Sequence, residues 1–395
     1  MKLAERAQRV EPFYAMDVTR RALELAAAGR RVVTLSVGEP DFGAPPLVRD
    51  AMRDAMDGRP LPYTPALGSL ALRRDIAAFY RDRHGVAVDP ARIVVTSGAS
   101  SALLVVLAAT TDEGDEVVMA DPSYPCNRQL VETFGGRAVT VATSAASRFQ
   151  LDRALVADAW TERTTSVMIA TPSNPTGTSL PFGELDAICS LARERGAWRI
   201  VDEIYLYLSD PALDGRPPRS VLEVDPDAIV INSFSKYFGM TGWRLGWAIL
   251  PERLVGPVER LAMNYFLCAS TPAQIAARAA FTRESLELCE ERRLELRARR
   301  EIVLAGLERL GLPVAAPPDG AFYAYFDVSG SGLDSWTFCE RVLEEALVSL
   351  TPGRDFGAAT ADTHVRLSYA SSREDLIEGL ARLGDFLEGL PSARR

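Results

Sequence analysis

Seven short apolar runs, separated by stretches with helical periodicity, constrain the fold of this chain more than any other feature of its sequence. Most of these runs are nearly continuous in apolar and β-branched residues, as in strands that are covered on both faces. Their alternation with helices predicts an α/β fold with a mostly parallel seven-stranded sheet flanked by helices. The predicted strands are 92–97, 116–121, 138–143, 166–171, 198–203, 228–233 and 245–250.

The two ends of the chain differ from this alternating region. A helical stretch and an extended segment occupy residues 1–45, and a long helical pattern rich in Arg and Glu covers residues 272–311. Strand-like segments and helices near 335–347 and 373–389 follow. The pattern predicts a second, smaller α+β domain made from the N-terminal segment and the C-terminal part. We expect a large domain at 46–285 and a small domain at 1–45 plus 286–395.

The composition argues against several classes of function. The net charge of −9 does not suit a nucleic-acid partner, which would favour a basic surface. No run of apolar residues reaches the roughly 20 that span a bilayer. The 5 cysteines and 2 histidines have no metal-ligand spacing, so we expect neither a zinc site nor a disulfide framework. The first residues lack the apolar core of a secretory signal, which leads us to expect a cytoplasmic protein.

Lysine is rare in this sequence, because only 2 of the 44 lysine and arginine residues are lysines. One of them, Lys2, lies at the N-terminus, and the other, Lys236, follows the predicted strand 228–233. A lysine amine can lose its proton and form a Schiff base with a carbonyl, whereas arginine stays protonated. Lys236 is therefore a candidate for chemistry, although a G+C-rich coding sequence would explain the same composition.

Polar residues lie where the predicted strands end, which is where doubly wound sheets bind ligands. After strand 92–97, Gly98, Ala99 and Ser100 form a small-residue turn that opens a helix. Such a turn presents backbone N–H groups to an anion, although it also occurs as a simple tight connection. Asn174 follows a later strand between two prolines, where it is either a turn residue or a site residue.

Two further strand ends carry groups that suit catalysis. Asp202 and Glu203 end the strand 198–203. A buried carboxylate there needs a cationic or hydrogen-bonding partner, but for Glu203 we expect a strand end that faces solvent. The other end places hydroxyls and a guanidinium around the lysine, namely Ser233, Ser235, Lys236 and Arg244. Hydroxyls and a guanidinium beside an amine indicate a phosphate site next to a nucleophile.

The segment SFSKYFGMTGWRLGW, with TPSNPTG and VDEIY upstream, resembles the class I/II aminotransferases of the fold-type I pyridoxal-phosphate-dependent enzymes. Further segments follow the order of that family, namely SVGEPDF, YTPALGSLALR, VTSGASSAL, PDGAFYAYFDV and HVRLSYA. Together they extend over nearly the whole chain. Several motifs in a fixed order are a far more specific signal than any one of them.

The resemblance implies a role for each polar residue at the strand ends. Lys236 would form the Schiff base with the aldehyde of pyridoxal 5′-phosphate and carry the proton between substrate and cofactor. Asp202 would pair with the protonated ring nitrogen, which keeps the ring electron-poor. Tyr205 and Asn174 would hydrogen-bond the phenolic oxygen of the ring, and Tyr124 would stack on its face.

The resemblance also implies sites for two anionic groups. The cofactor phosphate would be held by Gly98, Ala99, Ser100, Ser233, Ser235 and Arg244. Tyr63 would reach that phosphate from the neighbouring subunit, which implies a homodimer with shared active sites. Arg366 would bind the substrate α-carboxylate in a bidentate manner, with Asn174 and the backbone of Gly38 beside it.

Ser100 bears on the substrate, because some aspartate-specific relatives carry a lysine at the matching position to receive the distal carboxylate. We therefore expect a neutral L-amino acid, aliphatic or aromatic, as the donor and 2-oxoglutarate or pyruvate as the acceptor. An aspartate-type dicarboxylate aminotransferase and a β-lyase or cyclase on the same scaffold stay open. A transcription regulator is disfavoured, because the sequence shows no basic recognition helix.

Overall fold

The computed structural model describes residues 2–211 and 215–390. Within them the chain forms one large β-sheet and two smaller ones. The strands are β1 (Val33–Thr34), β2 (Ile93–Thr96), β3 (Glu116–Asp121), β4 (Arg137–Ala142), β5 (Thr164–Ala170), β6 (Trp198–Asp202), β7 (Ile229–Ser233), β8 (Gly246–Ile249), β9 (Tyr323–Asp327), β10 (Val348–Ser349), β11 (Thr351–Pro352) and β12 (His364–Ser368). The α-helices are α1 (Glu5–Arg9), α2 (Tyr14–Ala27), α3 (Pro46–Ala55), α4 (Leu70–His84), α5 (Ala99–Thr110), α6 (Pro125–Thr133), α7 (Arg153–Asp158), α8 (Phe182–Glu194), α9 (Glu252–Phe266), α10 (Thr271–Ala277), α11 (Arg283–Arg309), α12 (Ser335–Arg341) and α13 (Arg373–Glu388).

The large sheet confirms the predicted α/β architecture. Its strand order is β2-β8-β7-β6-β5-β3-β4, and β8 runs antiparallel to its two neighbours while the remaining pairs are parallel. All of the strands predicted from the apolar runs are members of this sheet. Right-handed crossovers through helices are the usual way to join parallel neighbours, which accounts for the alternation seen in the sequence.

Alternate residues of each central strand enter two separate apolar cores. On β2, Val95 packs in a core with residues of α4 and α8, whereas Val94 packs in a second core with residues of α5 and α9. Val167 and Met168 on β5 divide between the same two cores. Because side chains alternate across a strand, a strand covered on both faces needs apolar residues at nearly every position.

The parallel strands bring distant parts of the sequence to one edge of the large sheet. The segments that follow β2, β5, β6 and β7 all leave the sheet at this edge, and they carry Gly98, Asn174, Asp202 and Lys236. Because β8 runs the opposite way, it begins at this edge, and Arg244 lies just before it. The topology therefore collects the polar residues that the sequence analysis singled out.

The two smaller sheets use the N-terminal and C-terminal parts of the chain. β9, β12 and β11 form an antiparallel sheet, and β1 pairs with β10 in parallel. The helices predicted near 335–347 and 373–389 are present as α12, which continues into a π-helical turn at Val342–Ala346, and as α13. This is the smaller α+β unit expected from the sequence. The domain boundaries at residues 46 and 285 stay a prediction.

The helical pattern of residues 272–311 is present as two α-helices. α10 ends at Ala277, and α11 begins at Arg283. Between them, Thr282 has an extended backbone, and its Oγ1 accepts a hydrogen bond from the N–H of Ser285 at 3.3 Å. A threonine in this arrangement caps the start of a new helix.

Candidate active site

Lys236 lies three residues beyond the last residue of β7, among the polar residues at the sheet edge. Its Nζ donates a hydrogen bond to the carbonyl oxygen of Gly38 at 2.6 Å. Burial lowers the pKa of this amine to about 8, Glu39 opposes that decrease, and Arg366 and Arg244 add to it. A large share of the amine is therefore neutral near pH 8, and the neutral amine is the form that acts as nucleophile or base.

Asp202 is the last residue of β6 and is buried near the lysine. Its Oδ1 accepts a hydrogen bond from the N–H of Ile204 at 3.0 Å. Burial raises the pKa of this carboxyl to about 6, and the hydrogen bond from Ile204 and the charge of Lys236 only partly oppose the increase. A protonated nitrogen placed against Asp202 would supply the positive charge that this buried carboxylate lacks.

Buried aromatic residues line the space around the amine. The Nζ of Lys236 lies 5.8 Å from the ring centres of Tyr205 and Phe322. The hydroxyls of Tyr205 and Tyr323 are 2.8 Å apart and share one hydrogen bond. Burial raises the pKa of both tyrosines, so both hydroxyls stay protonated. The two hydroxyls carry two protons, and their shared hydrogen bond uses one of them. The other proton can therefore be donated to a further acceptor.

Arg366 lies on β12 and is buried, with an exposed fraction of 3%. Its Nη1 donates to Oδ1 of Asn174 at 2.8 Å, and its Nη2 donates to the carbonyl oxygen of Ser36 at 2.7 Å and to Oγ1 of Thr351 at 3.1 Å. Its Nε is buried and has no hydrogen-bond partner in the described residues. All three partners are neutral. A buried cation whose partners are neutral is a site for an anionic ligand.

The turn before α5 is built for close approach of an anion. Gly98 has a φ of +85°, and a Cβ at this position would lie 2.6 Å from Nη2 of Arg244. The guanidinium therefore lies against a turn where backbone N–H groups and the helix dipole also attract negative charge. On the sheet side, a Cβ on Gly246 would lie 2.8 Å from the carbonyl carbon of Gly98 and 2.9 Å from the nitrogen of Ala99. Glycine at both positions lets the turn sit directly on β8.

Two serines lie beside this turn. Ser233 is paired with Gly246 across β7 and β8, and its Oγ donates to Oγ of Ser235 at 2.8 Å. The N–H of Ser235 in turn donates to Oγ of Ser233 at 3.0 Å. Ser100 is exposed at the start of α5. The structure thus groups the N-terminus of α5, a buried hydroxyl pair and an arginine at one place.

The two tyrosines implied by the family resemblance have different environments. Tyr124 precedes α6, and its ring meets that of Phe13 edge-on with the centres 6.2 Å apart. Burial raises the pKa of Tyr124, and the positive charge of Arg366 opposes part of that increase. Tyr63 is 79% exposed and lies in a surface groove of about 490 Å³ that also contains Ile275. The structure places Tyr124 in the site and Tyr63 at the surface.

Glu203 is fully buried, which corrects the expectation that it faces solvent. Its Oε1 accepts a hydrogen bond from the N–H of Val221 at 2.7 Å, and Oγ of Ser220 donates to the carboxyl group at 3.0 Å. Burial raises the pKa of Glu203 to about 8, and the charge of Asp202 adds to the increase. The segment that supplies its partners follows 17 residues later, so the strand pattern alone did not reveal it.

Sequence reasoning missed four residues that shape the site: Ser36, Gly246, Tyr323 and Thr351. Gly246 and Tyr323 lie inside segments that carried the family resemblance, so their position was a usable signal. The backbone carbonyl of Ser36 accepts a hydrogen bond from Arg366, which lies 330 residues later in the sequence. A pattern of side-chain types cannot reveal a contact made by the backbone.

The site combines an amine whose pKa is lowered, a buried carboxylate, a pair of hydrogen-bonded hydroxyls and two separate positions for anions. This set suits a phosphate-bearing organic cofactor and a carboxylate substrate. In residues 2–211 and 215–390, no three or more potential metal ligands are grouped so that they could hold an ion. In the same residues, no helix combines the length and apolar character needed to cross a bilayer.

Comparison with known proteins shows to which family the chain is related. The family model described as aminotransferase class I and II matches residues 30–383. The valine–pyruvate aminotransferase of Mycobacterium tuberculosis is 40% identical, over 96% of this chain and 97% of its own length. The aspartate/prephenate aminotransferase of Thermus thermophilus is 36% identical, over 98% of each chain.

Solved structures agree with the sequence comparison. The crystal structure of an aminotransferase from Mycobacterium tuberculosis has a TM-score of 0.93 and 39% identity, covering 98% of this chain and 99% of that chain. The aspartate aminotransferase from Thermus thermophilus with maleate has a TM-score of 0.92 and 35% identity, with coverage of 98% and 99%. The chain is therefore a transaminase with the fold-type I architecture, and it belongs to the class I and II aminotransferases.

Proposed function

We propose that this aminotransferase moves the amino group of a neutral L-amino acid to pyruvate or 2-oxoglutarate, with pyridoxal 5′-phosphate as its cofactor. One observation carries the proposal: a reactive amine lies within the electrostatic influence of two separate anion sites. Arg244 beside the α5 turn and the buried Arg366 both lower the pKa of Lys236. A cofactor phosphate and a substrate carboxylate are the two anions that such a site needs.

The residues present fit pyridoxal phosphate at three points. The α5 turn places a helix N-terminus against Arg244, which suits a phosphate. Asp202 is a buried carboxylate whose pKa stays raised although Lys236 is near, which suits a protonated ring nitrogen. The pair of Tyr205 and Tyr323 has one proton to donate, which suits the ring oxygen. When bound, pyridoxal phosphate supplies an electron-poor ring that takes up the electron pair left at the substrate Cα.

Each residue then has a task that its environment supports. Lys236 would bind the cofactor aldehyde and accept the proton from the substrate Cα, because its pKa is near 8. Asp202 would keep the ring nitrogen protonated. Tyr205 would donate to the ring oxygen, and Asn174, whose Oδ1 accepts from Arg366, would donate through its Nδ2. The phosphate would lie against the remaining polar residues of the turn, namely Gly98, Ala99, Ser100, Ser233, Ser235 and Arg244.

Arg366 would bind the α-carboxylate that every amino acid and 2-oxo acid substrate shares. Its planar guanidinium suits a carboxylate, and the groups that it contacts by hydrogen bonds are neutral. Gly38 supports the same task, because a Cβ there would lie 2.7 Å from the hydroxyl of Tyr323. With glycine, the backbone of this segment can approach the carboxylate without displacing Tyr323.

Three features support a neutral donor. Ser100 is uncharged at the position where some aspartate-specific relatives carry a lysine. Tyr124 provides an aromatic ring near Arg366, and Phe13 packs against it edge-on. The relative named for valine and pyruvate is 40% identical over almost the whole chain. The relative named for aspartate and prephenate, at 36% identity, makes a dicarboxylate donor the second candidate.

The donor is tested by presenting the holoenzyme with one L-amino acid at a time and following the absorbance of the bound cofactor to that of its amine form. We expect valine, leucine and alanine to convert it faster than aspartate and glutamate. Rapid conversion by the two acidic amino acids alone would contradict the neutral donor. Release of ammonia and pyruvate without an acceptor would instead show a lyase. Lys236→Ala is the control and should show no rapid conversion with any amino acid.

We further propose a homodimer in which Tyr63 contributes to the phosphate site of the other subunit. Tyr63 is 79% exposed, and the neighbouring Leu70 and Ile275 are also exposed apolar residues that line the same groove. Exposed apolar surface of this kind marks protein interfaces. Sedimentation velocity should give a dimer, and Tyr63→Phe should keep the dimer but weaken the affinity for pyridoxal phosphate. A monomer with full cofactor affinity would overturn the proposal.

A further inference from the structure

Tyr323 joins two groups that the proposed function assigns to different ligands. It lies on β9 and is 1% exposed. Its hydroxyl shares the 2.8 Å hydrogen bond with Tyr205, and its ring centre lies 4.5 Å from Cζ of Arg366. The same hydroxyl lies against Gly38. One side chain therefore contacts both the hydroxyl assigned to the cofactor and the arginine assigned to the substrate.

We propose that Tyr323 is a positioning residue that couples occupancy of the carboxylate site at Arg366 to the hydrogen bond that Tyr205 donates to the cofactor. The inference rests on the proposed function, because it takes the tasks of Tyr205 and Arg366 from it. Tyr323 acts through these two neighbours and not on the reacting atoms.

The number of protons sets the direction of the bond between the two hydroxyls. Each phenol has one proton to donate. If the proton of Tyr205 points to the cofactor oxygen, the oxygen of Tyr205 must accept the proton of Tyr323. Hydrogen bonds in a chain polarise one another, so a hydroxyl that accepts one bond becomes a better donor in the next. Tyr323 therefore strengthens the bond that Tyr205 makes to the cofactor.

Arg366 controls how strongly Tyr323 donates. Burial raises the pKa of Tyr323, and the charge of Arg366 opposes that increase, which makes the hydroxyl a better donor. The guanidinium acts across the face of the ring. A carboxylate bound to Arg366 offsets this charge, so Tyr323 and then Tyr205 donate less strongly. The coupling requires no movement of the backbone.

The coupling predicts a spectroscopic effect that simple packing would not produce. Donation to the ring oxygen withdraws negative charge from the vicinity of Lys236 and so favours the unprotonated nitrogen. Removal of the Tyr323 hydroxyl should raise the pH midpoint of the cofactor absorbance by roughly 0.1 to 0.5 unit, because it weakens the bond from Tyr205 by about a tenth to a third and does not remove it. A bound carboxylate should raise the midpoint of the unmodified enzyme, and should raise that of the variant less.

The experiment is a pH titration of the cofactor absorbance in the holoenzyme and in Tyr323→Phe, each with and without isovalerate, a carboxylate that has no amino group. Tyr325→Phe is the matched control. Tyr325 lies on the same strand, is also 1% exposed, and its hydroxyl bonds Oγ1 of Thr360 at 2.7 Å. Phenylalanine keeps the ring at both positions, and thermal unfolding verifies that both variants fold.

We expect a raised midpoint and a smaller isovalerate effect in Tyr323→Phe, and the midpoint of the unmodified enzyme in Tyr325→Phe. In a Tyr205→Phe background, Tyr323→Phe should cause no further shift. An unchanged midpoint in Tyr323→Phe, an equal shift in Tyr325→Phe, or a full shift without Tyr205 would each overturn the inference. Failure of the proposed function differs from these results, because then no amino acid would convert the cofactor in the unmodified enzyme.

Discussion

Replacement of Glu203 by glutamine tests how the interior beside the active site tolerates charge. Glu203 is fully buried, and burial raises its pKa to about 8. At neutral pH the carboxyl is therefore mostly protonated, and its Oε1 accepts hydrogen bonds from the N–H of Val221 at 2.7 Å and from Oγ of Ser220 at 3.0 Å. Glutamine can make both bonds with nearly the same shape and does not ionise. The substitution thus removes the titration and keeps the packing.

The magnitude follows from proton linkage. The folded-state pKa of about 8 lies above the ordinary value of 4.5, so between these values the folded state holds a proton that the unfolded state has released. The contribution of Glu203 is present in full below pH 4.5 and is lost as the pH rises through about 8. The slope is roughly 1.4 kcal/mol per pH unit, which amounts to about 2 kcal/mol between pH 6 and pH 8 when partial ionisation at the upper end is included.

Denaturant unfolding of the unmodified enzyme and Glu203→Gln, at equal protein and cofactor concentrations, measures this difference. From pH 6 to pH 8, the stability of Glu203→Gln relative to the unmodified enzyme should rise by about 2 kcal/mol. Titrating groups that do not interact with Glu203 cancel, because both proteins contain them. The same difference at both pH values would refute the reasoning. Glu203→Ala leaves the N–H of Val221 unpaired and should be less stable than the glutamine variant by about 1–3 kcal/mol.

Three other substitutions test separate parts of the site. Gly246→Ala places a Cβ 2.8 Å from the backbone of the α5 turn, so it should cost about 1–3 kcal/mol of stability and weaken pyridoxal phosphate binding in an absorbance titration. Gly183→Ala, where nothing lies within 4 Å, is the control and should keep full cofactor affinity. Arg366→Lys loses the planar guanidinium that can bind a carboxylate through two hydrogen bonds. We expect kcat/KM to fall at least roughly 30-fold for every amino acid, or about 2 kcal/mol, while the affinity for the cofactor is kept. A loss limited to acidic substrates would contradict this. The carboxylate of Asp355 accepts hydrogen bonds from two backbone N–H groups at the start of α2, at 2.8 and 2.6 Å. Asp355→Asn should therefore lower the free energy of unfolding by about 1 kcal/mol and speed hydrogen exchange in α2. Unchanged exchange would contradict the role of Asp355 as a helix cap.

The large sheet could be predicted from the sequence because its strands are covered on both faces. β7 is buried at every position, and the burial of its first three residues on both faces accounts for the apolar run Ile229, Val230 and Ile231. The break between α10 and α11 was not visible in the helical pattern of residues 272–311. Thr282 lies between Phe281 and a polar run that begins at Arg283, and these residue types do not distinguish the start of a new helix from a continuing one. Its role as a cap depends on its backbone conformation, which the residue type only weakly favours.

The site was predicted in two ways that differ in strength. Asp202 and Lys236 follow from the topology, because parallel strands deliver their carboxyl ends to one edge. Arg366 had no such argument and depended on the family resemblance, since its strand belongs to a separate sheet and its partner Ser36 lies 330 residues away. Glu203 was misjudged because a strand pattern shows which positions alternate, but not which loop later covers the strand end.

The environment of Lys236, more than its residue type, makes it suited to both of its proposed tasks. Arg366 and Arg244 reinforce the effect of burial and lower its pKa to about 8, which favours the neutral amine as a nucleophile when neither anion is bound. The same two arginines are the proposed sites for the substrate carboxylate and the cofactor phosphate. Each bound anion offsets the charge that lowers the pKa, so proton affinity near Lys236 rises as the ligands bind. The nitrogen proposed to accept a proton from Cα would therefore become a stronger base when the substrate is in place.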